Sequence, residues 1–442
     1  MAQSSLDQAL TFAEASMYEA ALRYSAALLE LEPRAPLRLF LSAWMLGALG
    51  ETETAKRGLA VAVERAVDSG NLPLSVTAAC KLREFGGDSA ASLSLVAKAF
   101  AKGSARLLDK RGAPPNLPGV AADFSPFPES LAGKALLDKA KGIVDTSVEA
   151  FKSDRSASDP PKLSPQTLFS SLDEKELYAM IEILGVRVVP RGSVLVEEGS
   201  TGDEAFFVAR GELDVQKAGN KPGAAPIALA RLGSGALFGE MALLSRAPRT
   251  ATVRAALPCL VLVAKKAALD RVVASAPGVG RRFAEFCRRR MLENLQRTNF
   301  VLRSASPAER PALIERFAIR SFEAGDKLLT QGADADGLHL IGLGEVGLLH
   351  RDEKDGDTTL VATLGPGDLV GEVALVFRRP ALADAIAQHP TVTLFLPAER
   401  LMDLVKAHPK VFSDLYDLCV KHDEEHSQMV EEAAESENFV IV

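Results

Sequence analysis

Two hydrophobic rhythms divide this chain of 442 residues. From Ser4 to about Ala101 apolar residues recur at helical spacing in an alanine- and leucine-rich stretch, and MYEAALRYSAALLELEP followed by LGALGETETA predicts two helix pairs. From about 168 to 300 the rhythm shortens to alternating apolar runs separated by glycines, the pattern of a barrel of short strands with tight corners. That second rhythm occurs twice. Gly192, Gly199 and Gly211 recur as Gly325, Gly332 and Gly344, each 133 residues on, whereas Gly233 and Gly239 recur as Gly365 and Gly371, each 132 on. A fixed offset interrupted by the loss of one hairpin residue marks an internal duplication. Between the helices and the strands, residues 103 to 165 are dense in Pro, Gly, Ser and Ala and predict an irregular linker. It is interrupted by one amphipathic helix at 131 to 151, carrying Leu136, Leu137, Ile143, Val144, Val148 and Phe151.

The candidate chemistry lies between Phe238 and Val253, in FGEMALLSRAPRTATV, which reads as a strand end, a short helix opened by Gly239 and Glu240, a Pro-Arg-Thr turn and a second strand. Helix-start amides beside a positioned arginine suit a phosphate, because the amides supply donors and a favourable dipole while the guanidinium supplies a planar fork. A nearby carboxylate can accept hydroxyl protons from a sugar. The stretch closely resembles the phosphate-binding cassette of the cyclic-nucleotide-binding domain family, found in catabolite activator proteins, cyclic-nucleotide-gated channels and regulatory subunits of protein kinase A. LFSSLDEKEL, VPRGSVLVEEGSTGDEAFFVARGELDV and ARLGSGALFGE extend the likeness over residues about 168 to 300. The resemblance implies that Glu240 holds a ribose 2′-hydroxyl and Arg249 a cyclic phosphate, with Phe238, Gly239, Met241, Ala242, Thr250 and Ala251 completing the ligand-binding set. An apolar lid over the base is expected from Phe283, Phe286 and Met291 on the following helix, or from the second barrel. Thr250 follows the phosphate arginine as in cGMP-dependent kinases and also as in bacterial cAMP receptors; one hydrogen bond of roughly 0.5 to 1.5 kcal/mol sets no strong preference, and cAMP is expected over cGMP.

The second copy reads VGEVALVFRRPALADA. Glu372 matches Glu240 and Pro380 matches Pro248, but Ala381 stands in the position of Arg249. Leu382 and Asp384 replace Thr250 and Thr252, which is expected to put an apolar group and a negative charge where an anion would sit, with Arg378 and Arg379 the neighbouring cations. One nucleotide per chain is therefore expected, at the first barrel.

In the helical part Ala21 recurs as Ala55 at an offset of 34, and Ala91 follows 36 further on, with Pro33 after a helix end. This spacing resembles the tetratricopeptide repeat, which implies a groove for a protein partner; a plain α-helical bundle used for dimerisation is the alternative. The fold class that follows is a multidomain α+β chain: amino-terminal α-helical repeats, then two β-jelly-roll domains with flanking helices. Its expected divisions are a helical domain at 1–102, a linker at 103–165, an intact nucleotide domain at 166–303, a degenerate one at 304–422 and an acidic tail at 423–442.

The longest apolar run, Leu39 to Gly50, is far below the roughly 20 residues of a membrane-spanning helix. The amino terminus has no basic region followed by an apolar core, so a cytoplasmic location is expected. Cys80, Cys259, Cys287 and Cys419 form no C-x-x-C pair and read as ordinary reduced thiols. Net charge is −7, and the tail from Asp423 accounts for all of it, which argues against a broad nucleic-acid-binding surface. The predicted helix at 278 to 303 holds seven arginines against two glutamates, and Arg288, Arg289 and Arg290 are expected to pair with the second domain or the tail. His422 and His426 have the spacing of a helical zinc pair, but Asp423 follows the first histidine where the metalloprotease pattern needs Glu, and no metal site is assigned. Lys110, Arg111, Gly112 and Ala113 resemble the inhibitory pseudosubstrate of protein kinase A regulatory subunits, yet Pro114 favours a plain basic turn.

No phosphate-binding Gly-rich loop ending in Lys-Ser or Lys-Thr, kinase signature or nucleophile elbow is present, and no catalytic residue or cofactor is assigned. The expected function is that of a ligand-operated interaction protein, with a cyclic nucleotide as ligand and a protein partner held through the helical repeats or the tail; a homo-oligomer is left open. The competing reading is a structural assembly protein whose barrels serve only as packing modules. Against it, a buried Arg and Glu are costly without a ligand or each other.

Overall fold

Ser4 opens the first helix with a reciprocal cap: its hydroxyl accepts from the Asp7 amide at 3.2 Å, while Asp7 Oδ2 accepts from the Ser4 amide at 3.1 Å. In the computed structural model, which describes residues 4–109, 125–155, 161–218, 225–244, 248–295, 316–352, 357–407 and 409–438, this helix α1 (Ser5–Glu14) starts a run of helices. α2 (Tyr18–Leu31), α3 (Pro36–Ala48), α4 (Thr52–Asp68), α5 (Leu72–Glu84) and α6 (Ser89–Phe100) follow, each packed on the one before. Ala21 and Ala55 are fully buried, whereas Ala91 is exposed in the first turn of α6, so burial follows the offset of 34 at the first step only. α7 (Gly133–Arg155) lies against α2, α3 and α4 and buries Leu136, Val144, Val148 and Phe151; Leu137 and Ile143 are half-buried at its edges. The predicted linker helix is thus longer than 131–151 and belongs to the helical packing, tied to α4 by Arg65, which donates to the Ser147 hydroxyl at 2.8 Å. Lys110 to Ala113 lie outside the described residues.

The residues divide into two compact units: Met1–Glu198 with Asp203–Leu243 and Ala251–Phe283, and Gly199–Gly202 with Leu244–Thr250 and Ala284–Val442. The first holds the helices above, α8 (Glu174–Glu182) and strands β1 (Gly185–Val189), β2 (Val194–Val196), β3 (Glu204–Arg210), β4 (Leu213–Lys217), β5 (Ile227–Leu232), β6 (Leu237–Phe238), β7 (Thr252–Ala255) and β8 (Cys259–Lys265). These form two antiparallel sheets in the orders β1-β8-β3-β6 and β2-β7-β4-β5, closed over a core of Phe206, Val208, Leu213, Phe238, Val253 and Val261. Helix α5 packs on β1, β3 and β8, and Arg210 at the end of β3 reaches Asp7 of α1 at 2.5 Å.

The second unit repeats this order strand for strand. β9 (Ala318–Phe322), β10 (Lys327–Leu329), β11 (Gly337–Leu343), β12 (Val346–Arg351), β13 (Thr358–Leu364), β14 (Leu369–Val370), β15 (Asp384–Ala387) and β16 (Thr391–Pro397) give β9-β16-β11-β14 and β10-β15-β12-β13. The turn glycines recur as well: Gly211 has φ +106° and Gly344 φ +86°, and a Cβ at either would run into Cys259 or Thr391. Near the cassettes the positive-φ glycines are Gly235 and Gly239 and, at the same offset, Gly367 and Gly371, whereas Gly233 and Gly365 are not among them. All four cysteines are buried, and burial pushes the Cys80 and Cys259 thiols up to about 11 and Cys419 to about 12. Among the described residues no helix is long and apolar enough to cross a membrane.

Candidate functional site

The first cassette begins where β6 ends. Phe238 pairs with Phe206 across β3 and the two rings stack at 5.1 Å, which anchors the strand before Gly239, at φ +72°, turns the chain. One helical turn, α9 (Met241–Leu244), follows, with Glu240 just before it only 4% exposed and Met241 half-buried. The Ala242 amide donates to Gly239 O at 3.3 Å and that of Leu243 to Glu240 O at 3.0 Å, so two amides expected to face an anion are engaged inside the turn. Lys266 Nζ closes the turn on the carbonyl of Leu243 at 3.0 Å.

Arg249 is held by its backbone. Its amide donates to Ser200 O and its carbonyl accepts from Gly199, both at 2.8 Å. The guanidinium lies across Gly202, where an added Cβ would come within 2.7 Å of Nη2. Arg249 is half-buried, Thr250 is exposed and Ala251 half-buried. Thr252 Oγ1 accepts from the Glu198 amide at 3.1 Å.

In the second copy the same hydrogen bonds recur on shifted residues. Ala381 donates to Ala333 O at 2.9 Å and its carbonyl accepts from Gly332 at 2.8 Å, which places Ala381 in the backbone position of Arg249. Asp384 Oδ1 accepts from the Gln331 amide at 2.9 Å, as Thr252 does from Glu198, and Oδ2 pairs with Lys327 at 2.7 Å. Burial works to raise the Asp384 pKa, but Lys327 and the Gln331 amide outweigh it and hold the carboxyl below its ordinary value. The sequence reading that Asp384 brings its charge to the anion position is therefore corrected: the carboxylate takes over a hydroxyl's place in the frame. Leu382 gives its carbonyl to His350 Nδ1 at 2.8 Å.

Helix α12 (Glu372–Phe377) follows Gly371, and Glu372 is 5% exposed. Further on come α13 (Ala398–Ala407) and α14 (Pro409–Asn438). α14 packs on α12 and β13, so the expected acidic tail is helical through Asn438 and its start lies on the second barrel. His422 Nδ1 donates to Glu372 Oε1 at 2.8 Å, and that bond raises the imidazole pKa against the opposing effect of burial. Arg379 pairs with Asp423 instead of turning toward a ligand, and Arg378 is exposed in a left-handed conformation.

With this geometry in view, the family model for the cyclic nucleotide-binding domain matches residues 186–276 and again 319–408. Two cyclic nucleotide-binding domains stand in tandem. The chain is 28% identical over 260 residues to a cAMP-dependent protein kinase regulatory subunit of Yarrowia lipolytica, covering 59% of this chain and 64% of that one. It is 27% identical over 264 residues to a cAMP-dependent protein kinase type II regulatory subunit of Drosophila melanogaster, covering 60% and 64%. The chain thus spans a little under two thirds of the curated relatives it matches. Among solved structures, the regulatory domain of Toxoplasma gondii PKA with cAMP shares 24% identity, with 58% of this chain and 92% of that one covered; its TM-score of 0.29 is too low for the likeness to bear further on this chain.

Of the expected lid residues, Phe283 falls in the first compact unit, Phe286 and Met291 in the second, and all three are buried. Met291 is packed onto the second nucleotide-binding domain, where a Cβ at Gly342 would come within 2.1 Å of its sulfur. After α10 (Lys266–Ser275), the arginines of α11 (Pro277–Leu295) find mixed partners: Arg282 approaches Glu176 at 3.8 Å, Arg288 donates to the Phe317 carbonyl at 3.2 Å, and Arg290 lies 5.8 Å over the Phe286 ring. Sequence reasoning did not find the pairing of His422 with Glu372, which are 50 residues apart with no periodicity to connect them. Nor did it find the support of Arg249 by Gly202, for which the glycine in STGDE was the available signal.

Proposed function

We propose that this chain is a non-catalytic cyclic-nucleotide sensor in which the first nucleotide-binding domain takes one ligand and the second takes none of that class. In this reading Glu240 holds the ribose hydroxyl, Arg249 is the main phosphate contact, and the apolar residues of α11 contribute to covering the base. Binding contracts the cassette and draws in the helix that follows the barrel, and the change reaches a protein partner through the amino-terminal helices, read as tetratricopeptide-like repeats. The relatives are named as regulatory subunits of cAMP-dependent protein kinase, which favours cAMP as the ligand and a protein kinase as the partner.

The observation that carries the proposal is the shared hydrogen-bond register of Arg249 and Ala381: one frame, with the phosphate cation kept in one copy and removed in the other. A calorimetric titration of the full chain with cAMP and cGMP tests it. One equivalent of cAMP, bound more tightly than cGMP, is the expected result. No heat with either nucleotide supports the packing-module reading instead, which the contact between Glu372 and His422 favours for the second barrel.

A further inference from the structure

Helix α5 has no solvent face along most of its length. From Leu72 to Cys80 every residue is buried, and its two hydroxyls turn back on the helix: Ser75 donates to the Leu72 carbonyl and Thr77 to that of Pro73, both at 2.7 Å. A helix closed on all sides is an internal element. It packs on α4 and also on β1, β3 and β8, so the helical layer is built onto the first nucleotide-binding domain. The attachment concentrates at the two ends of α8. Before that helix the Lys102 amide, just past α6, donates to the Leu172 carbonyl at 2.7 Å. After it, Cys80 Sγ donates to the Leu184 carbonyl at 3.3 Å and Arg83 to that of Glu182 at 3.4 Å, while α6 packs on α8 itself.

Glu176 ties the start of α8 to the helix that follows the barrel. It closes the α8 cap: its Oε2 accepts from the Asp173 amide at 3.0 Å, and its own amide donates to Asp173 Oδ1 at 2.9 Å. The same carboxylate stands 3.8 Å from Arg282 of α11, and a Cβ at Gly278 would fall 1.8 Å from Oε1. Glycine at 278 therefore lets α11 start directly against the carboxylate. Gly278, Glu176, the Asp173 amide, the adjoining Leu172 carbonyl and the Lys102 amide form one continuous chain of contacts, all within the first compact unit.

We infer that Glu176 at the start of α8 is a mechanical junction: a displacement of the start of α11 moves the α8 cap, and the cap passes the movement to α6 and α5. The input rests on the sensor reading of the first domain, in which binding draws in the helix after the barrel. The junction itself needs no nucleotide and can be driven by substitution.

Cys80 reports on the far end of α8, since alkylation of its 4% exposed thiol requires local opening. Its rate of reaction with iodoacetamide is read in the full-length chain by peptide mass spectrometry, with Cys259 in the core of the first barrel as the control for unfolding of the unit. Gly278→Leu, which pushes the carboxylate aside, is expected to speed Cys80 at least about tenfold and to leave Cys259 unchanged. In a Glu176→Ala background the same change should alter the Cys80 rate less than about twofold, because the contact through which it acts is gone. Should Gly278→Leu fail to fold, Arg282→Glu sets a like charge beside Glu176 and carries the same two expectations. In the wild-type chain, cAMP is expected to change the Cys80 rate at least about threefold, in step with calorimetric binding. The inference is overturned by an unchanged Cys80 rate in the folded variant, by equal effects with and without Glu176, by Cys259 responding together with Cys80, or by calorimetric binding of cAMP with no Cys80 response. No binding of cAMP refutes the sensor reading instead, and the substitutions then decide the junction by themselves.

Discussion

Gly202 leaves room for the Arg249 guanidinium, which would meet an added Cβ within 2.7 Å. Because the clash falls on the flexible end of a side chain, Gly202→Val is expected to fold normally while displacing the phosphate contact. Cyclic-nucleotide affinity should fall about tenfold by calorimetry, and Arg249→Ala should lower it at least about a hundredfold, since the phosphate then lacks its main counter-charge. Both residues keeping full affinity would refute the assignment of Arg249. In the second domain His339 is 2% exposed, bonded to Thr393 at 3.0 Å and packed between Phe322 and Phe395. Burial, aided by Arg320, lowers its pKa from 6.5 to about 4. The unfolded chain therefore binds a proton that the folded chain refuses between these values, and stability falls as pH drops from about 6.5 toward 4. The loss approaches roughly 3 kcal/mol at the acid end. His339→Phe should remove this component of the acid sensitivity, read from thermal unfolding at pH 7 and pH 4.5.

At the scale of elements, α1 is joined to β3 by a pair that local sequence does not suggest. Asp7 uses Oδ2 in its helix cap and Oδ1 to meet Arg210 at 2.5 Å, with the two side chains 5% and 13% exposed. Removing one partner leaves the other charge buried, so Asp7→Ala should destabilise the first unit by roughly 3–5 kcal/mol, whereas Asp7→Ala with Arg210→Met should recover part of the loss. Equal unfolding midpoints for wild type and Asp7→Ala would exclude a role for the pair. The contact of α14 with α12 depends on pH in the direction opposite to His339. Glu372 raises the His422 pKa, burial opposes it, Glu425 adds to the rise and Lys421 subtracts from it. The contribution is fully present below the ordinary imidazole pKa and is lost as pH rises through the raised folded value. Hydrogen exchange in α12 should accelerate with alkalinity beyond its intrinsic rate, and His422→Ala should abolish that excess.

Across the whole molecule, the proposed arrangement predicts one equivalent of cyclic nucleotide per chain. Ala381→Arg should leave that number at one, because Glu372, the residue matching the sugar-binding Glu240, is already engaged by His422. Two equivalents in the wild-type chain would overturn the division between the domains. Much of this plan was readable from residue order. Glycine spacing showed the duplication and its one-residue deletion, and the backbone bonds of Arg249 and Ala381 follow the same offset, because tight corners demand glycine at set intervals and so write the strand plan into the chain. The cassette's helix turn and the helix at 133–155 were legible for a similar reason, since both depend on neighbours a few residues away. Tertiary structure alone decided that Asp384 serves Lys327 and the Gln331 amide, that His422 holds Glu372, and that Asp7 meets Arg210 across 203 residues. A charged side chain's partner is set by which surfaces the fold brings within a few ångströms, and no period along the sequence encodes that distance.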